Sequence, residues 1–522
     1  MKMDVDLLKK HVNHLFERQR VMLPLWQTLA ENFYPERADF TITRNVGMEL
    51  ADNLVDSYPV LVRRDLGNSF SAMLRDGQWF EMDITGEADH AGKQWLEWGS
   101  KRMLQIMYRR NSNFVRTTKE ADHDYATFGQ PVISVERNRK ADGLLYRNWH
   151  LRDCAWFDDE NGQVGGVARR WKPTRRELVS YFGRDNVDPK ILEDLKEKPF
   201  EEIECYHITM PSDMFGDDEI QDKGFPFVSI FLDMKHEKIM EETGVNNHMY
   251  VIPRFQTIAG SPYAFSPAAI TGLPNSRTIQ AMTHTLLEAG ERYARPPLVA
   301  NEKVIRGDID LLGDGITYLD PEYDERFGEA IRPLYQNQGG FPIGLELRQG
   351  VVEILSSAFY RDKLSLPEVS HEMTAYEVSE RMKQFRRENL PLFAPIESEY
   401  NGQLCEISFE LAMQNGFLGS PYDIPESLRD RDVKFKFKSP LTEAEEEAKV
   451  NQFAQVADML AKAAQVDEGA VLNVDIDESF RDAVAGTGAP TKWLRDIKEV
   501  AMAKEQMSRQ MAEQQAAEQM NV

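Results

Sequence analysis

Cysteine is scarce in this chain, with three residues among 522. Cys154, Cys205 and Cys405 lie far apart, without a CxxC pair and without a histidine at metal-ligand spacing. This pattern argues against a disulfide framework and against a zinc site. We therefore expect the three thiols to be reduced and at least partly buried.

Long apolar runs are also missing. The sequence has no stretch of about 18 or more apolar residues, which argues against a membrane-spanning helix. The first residues, Met1-Lys-Met-Asp-Val-Asp6, lack the apolar core of a secretory signal. We expect a protein that is made and kept in the cytoplasm and has no membrane partner.

Basic residues are outnumbered, because 62 Lys and Arg stand against 86 Asp and Glu and the net charge is -24. A protein that grips nucleic acid over a broad surface needs concentrated Lys and Arg, so strong non-specific binding to DNA is not expected. The same negative charge suits a surface past which DNA slides without sticking, since like charges repel.

Motifs for phosphate or metal chemistry are nearly absent. No G-x-x-x-x-G-K-[ST] sequence is present, so ATP hydrolysis of that kind is not encoded. Asp122-His123-Asp124 is the most site-like cluster, because carboxylates that flank an imidazole can bind a divalent metal or tune a general base. On a helix these three side chains point in different directions, which favours a hydrogen-bonded helix face instead. We expect no catalytic residue, cofactor or metal.

The most informative pattern that is present covers residues 374–416. Thr374-Ala-Tyr-Glu377 is a capping box, in which the Thr hydroxyl and the Glu carboxylate satisfy open backbone N–H groups at a helix start. Apolar residues then recur every three or four positions on one face. Pro391 and Pro395 are predicted to bend this long helix near its middle.

The rest of the chain alternates between helical and strand-like patterns, so we predict an α+β fold that is mainly helical and contains small antiparallel sheets. Helices are predicted at residues 4–32 with a break at Pro24, and at 57–74, 94–127, 174–183, 276–295, 342–363, 442–465, 478–485 and 490–507. Strands are predicted at 79–84, 131–134, 144–151, 154–157, 167–172, 203–210, 225–234, 250–256 and 433–438.

The order of these pieces, over roughly residues 10–505, resembles the portal protein, or head-to-tail connector, of short-tailed, T7-like bacteriophages. Four segments carry the resemblance: Met73-Leu74 before Trp79-Phe80, Gly260-Ser-Pro-Tyr263 before Ser266-Pro267, Arg295-Pro-Pro-Leu-Val-Ala300, and Thr374-Ala-Tyr-Glu-Val-Ser-Glu-Arg381. Ala264-Phe265 departs from the small and basic pair that is usual in the family.

The resemblance implies a portal fold with wing, stem, clip and crown, in which twelve copies form a ring around a central DNA channel. It implies a wing and body at 1–275, a first stem helix at 276–295, a clip at 296–340, a second stem helix at 341–363, a tunnel loop at 364–373, a long kinked wing helix at 374–420 and a helical crown and tail at 421–522.

The resemblance also implies sites and partners. The tunnel loop would face DNA with few phosphate-gripping groups, and its candidate residues are Lys363, Ser365, Glu368, Ser370 and His371. The clip would dock the packaging ATPase, the terminase large subunit, and later tail or adaptor proteins; its candidate residues are Asp320, Glu322, Asp324, Glu325 and Arg326. Other implied partners are the major capsid and scaffolding proteins and double-stranded DNA, read without sequence specificity, in a virion assembled in the host cytoplasm.

Two other functions stay open at this point. One is a metal-dependent enzyme acting on nucleic acid, with Asp122, His123 and Asp124 as its metal site, although no second acidic motif stands at ligand spacing. The other is a phage scaffolding or adaptor protein that assembles through helices alone. Such a protein would not need the strand-rich middle of this chain or the acidic module at 296–340.

Overall fold

The computed structural model describes most of the chain, in two stretches. These are residues 2–361, except 46, 87, 141, 302–303, 306–308, 310–317, 325, 327–328 and 334–339, and residues 396–520, except 421–422, 430, 439, 466–468, 470–472, 488 and 490. Its α-helices and β-strands confirm the predicted α+β class. The capping box at Thr374 and both prolines of the predicted kink lie outside the described residues.

The chain divides into two compact units. Unit 1 comprises Met1–Met22, Gly67–Ser266 and Lys363–Val522, and unit 2 comprises Leu23–Leu66 and Pro267–Asp362. The predicted break near Pro24 falls close to the first boundary, because α1 (Val5–Arg20) ends before α2 (Leu23–Phe33) begins with the proline in its first turn.

The first part of unit 1 contains helices of about four to five turns and one strand of a two-stranded sheet. The helices are α4 (His90–Met107) and α5 (Phe114–Phe128), and α3 (Tyr58–Leu74) ends in this unit. The single helix predicted at 94–127 is therefore wrong. Arg110–Ser112 forms a 3₁₀ turn, and Asn113 follows in the left-handed region at φ 59°, which Asn tolerates better than most residues.

The strand β1 (Phe80–Ile84) pairs with β12 (Val433–Phe437) in antiparallel register, with Phe80 opposite Phe437. Stacked aromatic rings close one end of the pair, where the centroids of Trp79 and Phe437 are 6.2 Å apart. Both strands were predicted, but their pairing over a separation of about 350 residues was not.

Two larger antiparallel sheets form the middle of unit 1. The first has the order β3-β2-β9 and the second the order β4-β5-β6-β7-β8. Leu8, Val12 and Leu15 of α1 are buried in a core cluster with apolar residues of the second sheet. The strands are β2 (Val132–Arg137), β3 (Leu144–Trp149), β4 (Cys154–Asp158), β5 (Val164–Trp171), β6 (Cys205–Pro211), β7 (Phe227–Asp233), β8 (Lys238–Val245) and β9 (Tyr250–Val251).

The strand β8 was not predicted from the sequence. It follows a turn in which Glu237 has a φ of 55°, and it pairs with β7 with a register shift between Phe231 and Leu232. Its apolar and polar residues stand in adjacent pairs, Ile239-Met240 and Glu241-Glu242, so the alternation that marks a strand is missing. Four short helices complete this part of the unit: α6 (Arg175–Phe182), α7 (Pro189–Glu193), α8 (Ser212–Phe215) and α9 (Asp218–Asp222).

The resemblance segment around Tyr263 is a buried strap in unit 1. The Trp156 indole donates to the Pro262 carbonyl at 3.0 Å, and its ring lies 4.7 Å from that of Tyr263. The Ser266 hydroxyl donates to the carbonyl of Thr127, near the end of α5, at 2.6 Å. These contacts give a physical reason for the two prolines and the serine of this segment, since the Pro262 carbonyl and the Ser266 hydroxyl both have internal partners.

The C-terminal part is helical, as predicted. The helix predicted to begin at residue 442 begins two residues earlier, at Pro440. The Asp475 carboxylate caps the next helix, because it accepts from the backbone of Asp477 and Glu478 at 3.0 and 3.1 Å. The helices are α12 (Gln403–Gln414), preceded by a π-helical turn at Glu397–Gly402, α13 (Pro440–Ala464), α14 (Ile476–Gly486) and α15 (Ile497–Met520).

Candidate stem and clip surfaces

Unit 2 is organised around a hairpin of two long helices, α10 (Leu273–Ala294) and α11 (Gly340–Ala358). Gly344 lies against Leu286, so closely that an added Cβ would stand 2.7 Å from Leu286 Cδ2. Arg348 contacts Thr283, one turn earlier in α10. Because rising numbers in α11 meet falling numbers in α10, the two helices are antiparallel. They lie where the two stem helices were predicted, at 276–295 and 341–363, and their role as a stem stays a prediction.

The end of the hairpin nearest to Gly272 is anchored in a small aromatic core. The rings of Phe33 and Phe359 are 5.4 Å apart, and an added Cβ at Gly272 would stand 3.0 Å from each of them. Arg63 donates to the Phe33 carbonyl at 2.9 Å, and its guanidinium lies over the Tyr34 ring. This core fixes one end of the hairpin to α2.

The buried carboxylate of Asp56 holds both helices against the loop that precedes α3, and its contacts with Thr283 and Arg348 are called the Asp56 pin. Asp56, 6% exposed, accepts hydrogen bonds from Arg348 at 2.5 and 3.1 Å and from the Thr283 hydroxyl at 2.8 Å. Gln280 accepts from the backbone N–H groups of Val55 and Asp56 and donates to the Asp56 carbonyl. Charge-assisted bonds of this kind are stronger than neutral ones, so Asp56 ties together α10 and α11.

The contact between Asp56 and Arg348 was not predicted from the sequence. Asp56 and Arg348 are 292 positions apart, and no spacing rule connects them. One signal was available: Arg348 is a charged residue at an inward position of α11, in line with Gly344 and Leu355. A charge at such a position requires a partner, although the sequence does not say which carboxylate supplies it.

The Asp56 pin should make unit 2 sensitive to acid. Burial raises the pKa of Asp56, but hydrogen bonds from the Tyr58 backbone, Arg348 and Thr283 outweigh it, so the pKa in the folded chain lies below the ordinary value. A depressed carboxyl pKa contributes stability above the unfolded value of about 4, and this contribution disappears as the pH falls through the folded value.

We therefore expect the stability advantage of the wild type over Asp56→Asn to shrink as the pH falls below about 4. Hydrogen–deuterium exchange of the α10 peptide, corrected for the intrinsic rate at each pH, measures this difference. An advantage that stays constant from neutral pH down to pH ~2 would show that ionised Asp56 does not pin the hairpin.

Apolar side chains remain exposed along the free part of the hairpin. The exposed fractions are 61% for Leu287 on α10, and 59%, 59% and 52% for Ile343, Leu347 and Ile354 on α11. A helix pair in water normally turns such residues inward, because each buried side chain contributes roughly 1.5 to 3 kcal/mol. In a single copy the hairpin therefore exposes an apolar surface that no other part of the described chain covers.

The predicted clip is described in part. The strands β10 (Leu298–Ala300) and β11 (Ile331–Pro333) lie between α10 and α11 in the chain and pair in antiparallel register. Ile305 forms an isolated bridge with Leu319. Asp320 and Asp324 each cap a turn, since their carboxylates accept from the backbone of Glu322 at 3.1 Å and of Arg326 at 3.0 Å.

The docking candidates of the clip share a short stretch of turns. Glu322, Asp324 and Arg326 are exposed, and Asp320 is half-buried. Glu325 lies outside the described residues, as do the tunnel-loop candidates Lys363, Ser365, Glu368, Ser370 and His371. Their roles stay predictions.

The cluster at Asp122, His123 and Asp124 lies on α5 of unit 1 and is divided among different partners. The buried Asp122 carboxylate pairs with Arg75, whereas Asp124 accepts from the Asn148 amide at 2.6 Å. His123 lies against Gly67 of α3. Among the residues that the structure describes, no group of three or more His, Cys, Asp or Glu side chains is placed to hold a metal ion.

The Arg75 and Asp122 pair is a structural feature of the unit interior. Their side chains are 2% and 0% exposed, Arg75 also donates to Asn401 at 3.0 Å, and its guanidinium lies over the Tyr400 ring. Burial raises the pKa of the Asp122 carboxyl, and the Arg75 guanidinium opposes that rise. The pair thus joins α3 and α5 to the turn before α12.

The three cysteines are buried, as expected, and burial raises the pKa of each thiol. A raised pKa keeps a thiol protonated and unreactive at neutral pH.

No helix in the described part of the chain combines the length and hydropathy needed to cross a bilayer.

These features define an α+β protein in which a long helical hairpin carries a small two-stranded module between its helices. The family model described as "Bacteriophage head to tail connecting protein" matches residues 5–494, and the chain belongs to this family. The predicted resemblance to portal, or head-to-tail connector, proteins is thereby confirmed. The family is structural and not enzymatic, and it makes the chain a virion component that associates with the head and the tail.

One solved structure and the curated proteins complete the comparison. A chain in the structure titled "Virion of native gene transfer agent (GTA) particle" is similar at 9% sequence identity and a TM-score of 0.38, over 77% of this chain and 86% of that chain. Among curated proteins, no sequence matches this one.

Proposed function

We propose that this connector is a portal protein, of which twelve copies form a ring at one vertex of the capsid. The ring is the channel through which DNA is packaged and later ejected, and it performs no bond chemistry. A separate ATPase, the terminase large subunit, supplies the energy for packaging. The major capsid and scaffolding proteins surround the ring, and tail or adaptor proteins bind it after packaging.

The exposed apolar hairpin is the observation that carries this proposal. Membership of the connector family supplies the function, and the hairpin supplies a reason for assembly, because its apolar side chains need a neighbouring surface. A head-to-tail contact between identical copies buries such a face on every copy and leaves none open once the ring closes.

The charge of the chain agrees with a low-friction channel. At -24 for each copy, twelve copies carry about -290, which repels DNA from most of the wall. The tunnel loop at 364–373 offers few phosphate-binding groups, as a channel that must release DNA requires. Steering then comes from the shape of the channel and from a few placed basic residues.

The clip at 296–340 is the proposed docking site for the terminase and the tail proteins. Two observations support this: the segment is inserted between the two hairpin helices, and its described turn carries the exposed charges of Glu322, Asp324 and Arg326. Charged residues at the rim of an interface guide partner choice and association rate.

The ring is tested by mass photometry combined with electron-microscope imaging of the purified chain at moderate salt. We expect closed rings with a central hole and a mass of about 720 kDa, from twelve copies of a 60.0 kDa chain. Monomers or dimers at micromolar concentration, both alone and with the capsid and scaffolding proteins, would overturn the proposal.

A further inference from the structure

An exposed seam runs along one side of α11. Ile343, Leu347, Gly350 and Ile354 follow each other at spacings of four, three and four residues, which places them on one side of a helix. The three large side chains are more than half exposed, and an added Cβ at Gly350 would meet nothing within 4 Å. The seam therefore exposes three large apolar side chains, with open space at Gly350 between Leu347 and Ile354.

This seam is separate from the face that α11 uses within its own chain. The internal face carries Gly344, Arg348 and Leu355, which are one residue later than members of the seam. One residue corresponds to a rotation of about 100° around the helix. A second helix can therefore pack on the seam while α10 stays in its place.

The outward side of α10 has the complementary shape. Thr278, Ala281 and Thr285 are small, exposed and spaced by three and four residues. Small residues allow a neighbouring helix with large side chains to approach closely, since ridges of one helix fit into grooves of the other.

Charges flank the two surfaces at matching heights. The contact between Arg348 and Thr283 sets the register of the antiparallel hairpin. Five residues later in α11 and five residues earlier in α10, Glu353 stands level with Thr278, which is next to Arg277. Arg277 and Glu353 are both exposed, and among the described residues neither forms an ion pair, although the Gln349 amide donates to the Glu353 carboxylate at 3.4 Å. Within one chain they lie on outward sides of different helices.

We propose that the α11 seam of one copy packs on the outward side of α10 of the next copy, and that Glu353 forms an ion pair with Arg277 of the partner subunit. This interface rests on the proposed ring function and identifies the surfaces that build it. Rotation about the ring axis preserves height, so hairpins that stand along the axis bring level residues together. Each copy then uses two different surfaces, as a closed ring requires.

Charge reversal tests the ion pair. Arg277→Glu and Glu353→Arg should each lower the fraction of chain in rings at least tenfold at a fixed concentration, because each places like charges together at every interface. The combined variant, with both reversals, should restore the rings. Glu160→Arg, at an exposed turn of unit 1, makes the same change of charge elsewhere and should leave the ring fraction unchanged.

Cysteine pairing tests the geometry with two separate chains. In this register Ala281 and Gly350 stand at the same height, so an Ala281→Cys chain mixed with a Gly350→Cys chain should give disulfide-linked mixed dimers. Neither chain alone should give linked dimers through these positions. The native cysteines are buried and should not interfere.

The outcomes separate this interface from the ring itself. Rings that persist in both single reversals, or form without mixed dimers in the cysteine experiment, would overturn the interface and leave the portal function intact. A double reversal that fails to recover rings would also overturn it. Wild-type chains that form no ring even with capsid and scaffolding proteins would overturn the portal function on which it rests.

Discussion

Replacing Asp122 by Asn should destabilise unit 1 by about 3 to 5 kcal/mol, the range measured when one partner of a buried ion pair is removed. Asn keeps the shape of the side chain but leaves the Arg75 guanidinium, 2% exposed, without a countercharge. Asn401 and the Tyr400 ring remain near Arg75, but neither is an anion. Hydrogen–deuterium exchange of the α5 and α12 peptides measures the loss.

The matched control removes both charges. Arg75→Met combined with Asp122→Leu should be much closer to the wild type than Asp122→Asn, because apolar residues of similar volume carry no desolvation cost. Equal exchange in the wild type and Asp122→Asn would show that the pair does not hold α3 and α5 together. The same measurement bears on the metal-enzyme alternative, in which Asp122 would be free for a ligand.

Local patterns in the sequence predicted most helices and strands, because periodicity and caps act over a few residues. Pro24 fixed the start of α2, and the Asp475 carboxylate fixed the start of α14. The pattern failed where apolar spacing continued through a turn, as at Asn113 between α4 and α5. There the regular spacing of the apolar residues indicated a continuous helix, and a single asparagine was too little to indicate the turn.

Contacts between distant segments could not be predicted in the same way. The pairing of Phe80 with Phe437 and the pinning of Arg348 by Asp56 depend on tertiary structure, and no spacing rule connects their members. The helices α10 and α11 followed from the apolar pattern, but the exposed seam at Leu347 is visible only once the internal face is known. A surface used for assembly can therefore be identified only when the fold shows which side chains are already buried within one copy.

Replacing Gly129 by Ala should destabilise unit 1 by roughly 2 to 4 kcal/mol, the sum of a backbone cost and a packing cost. Gly129 ends α5 with a φ of 83°, a left-handed conformation that costs an L-residue about 1 kcal/mol or more. An added Cβ would also stand 2.7 Å from the carbonyl carbon of Phe265 and 2.8 Å from the backbone nitrogen of Ser266.

The clash cannot be relieved by a side-chain rotation, because both atoms belong to the backbone of the strap around Tyr263. Moving that backbone would stretch the bond from the Ser266 hydroxyl to the Thr127 carbonyl and the bond from the Ala264 N–H to the Gln130 side chain. We therefore expect faster exchange in both α5 and the strap, and a lower yield of soluble chain.

Gly162→Ala separates the two costs. Gly162 has a similar φ of 75°, but an added Cβ there would meet nothing within 4 Å. This control should lose only the backbone contribution of about 1 kcal/mol, with no change in exchange of the strap. If the two variants were equally stable, the strap would have to tolerate a shift at Phe265, and its fixed position against α5 would be wrong. A larger loss at Gly129 would identify the Gly129 contact as the point that holds the strap in place.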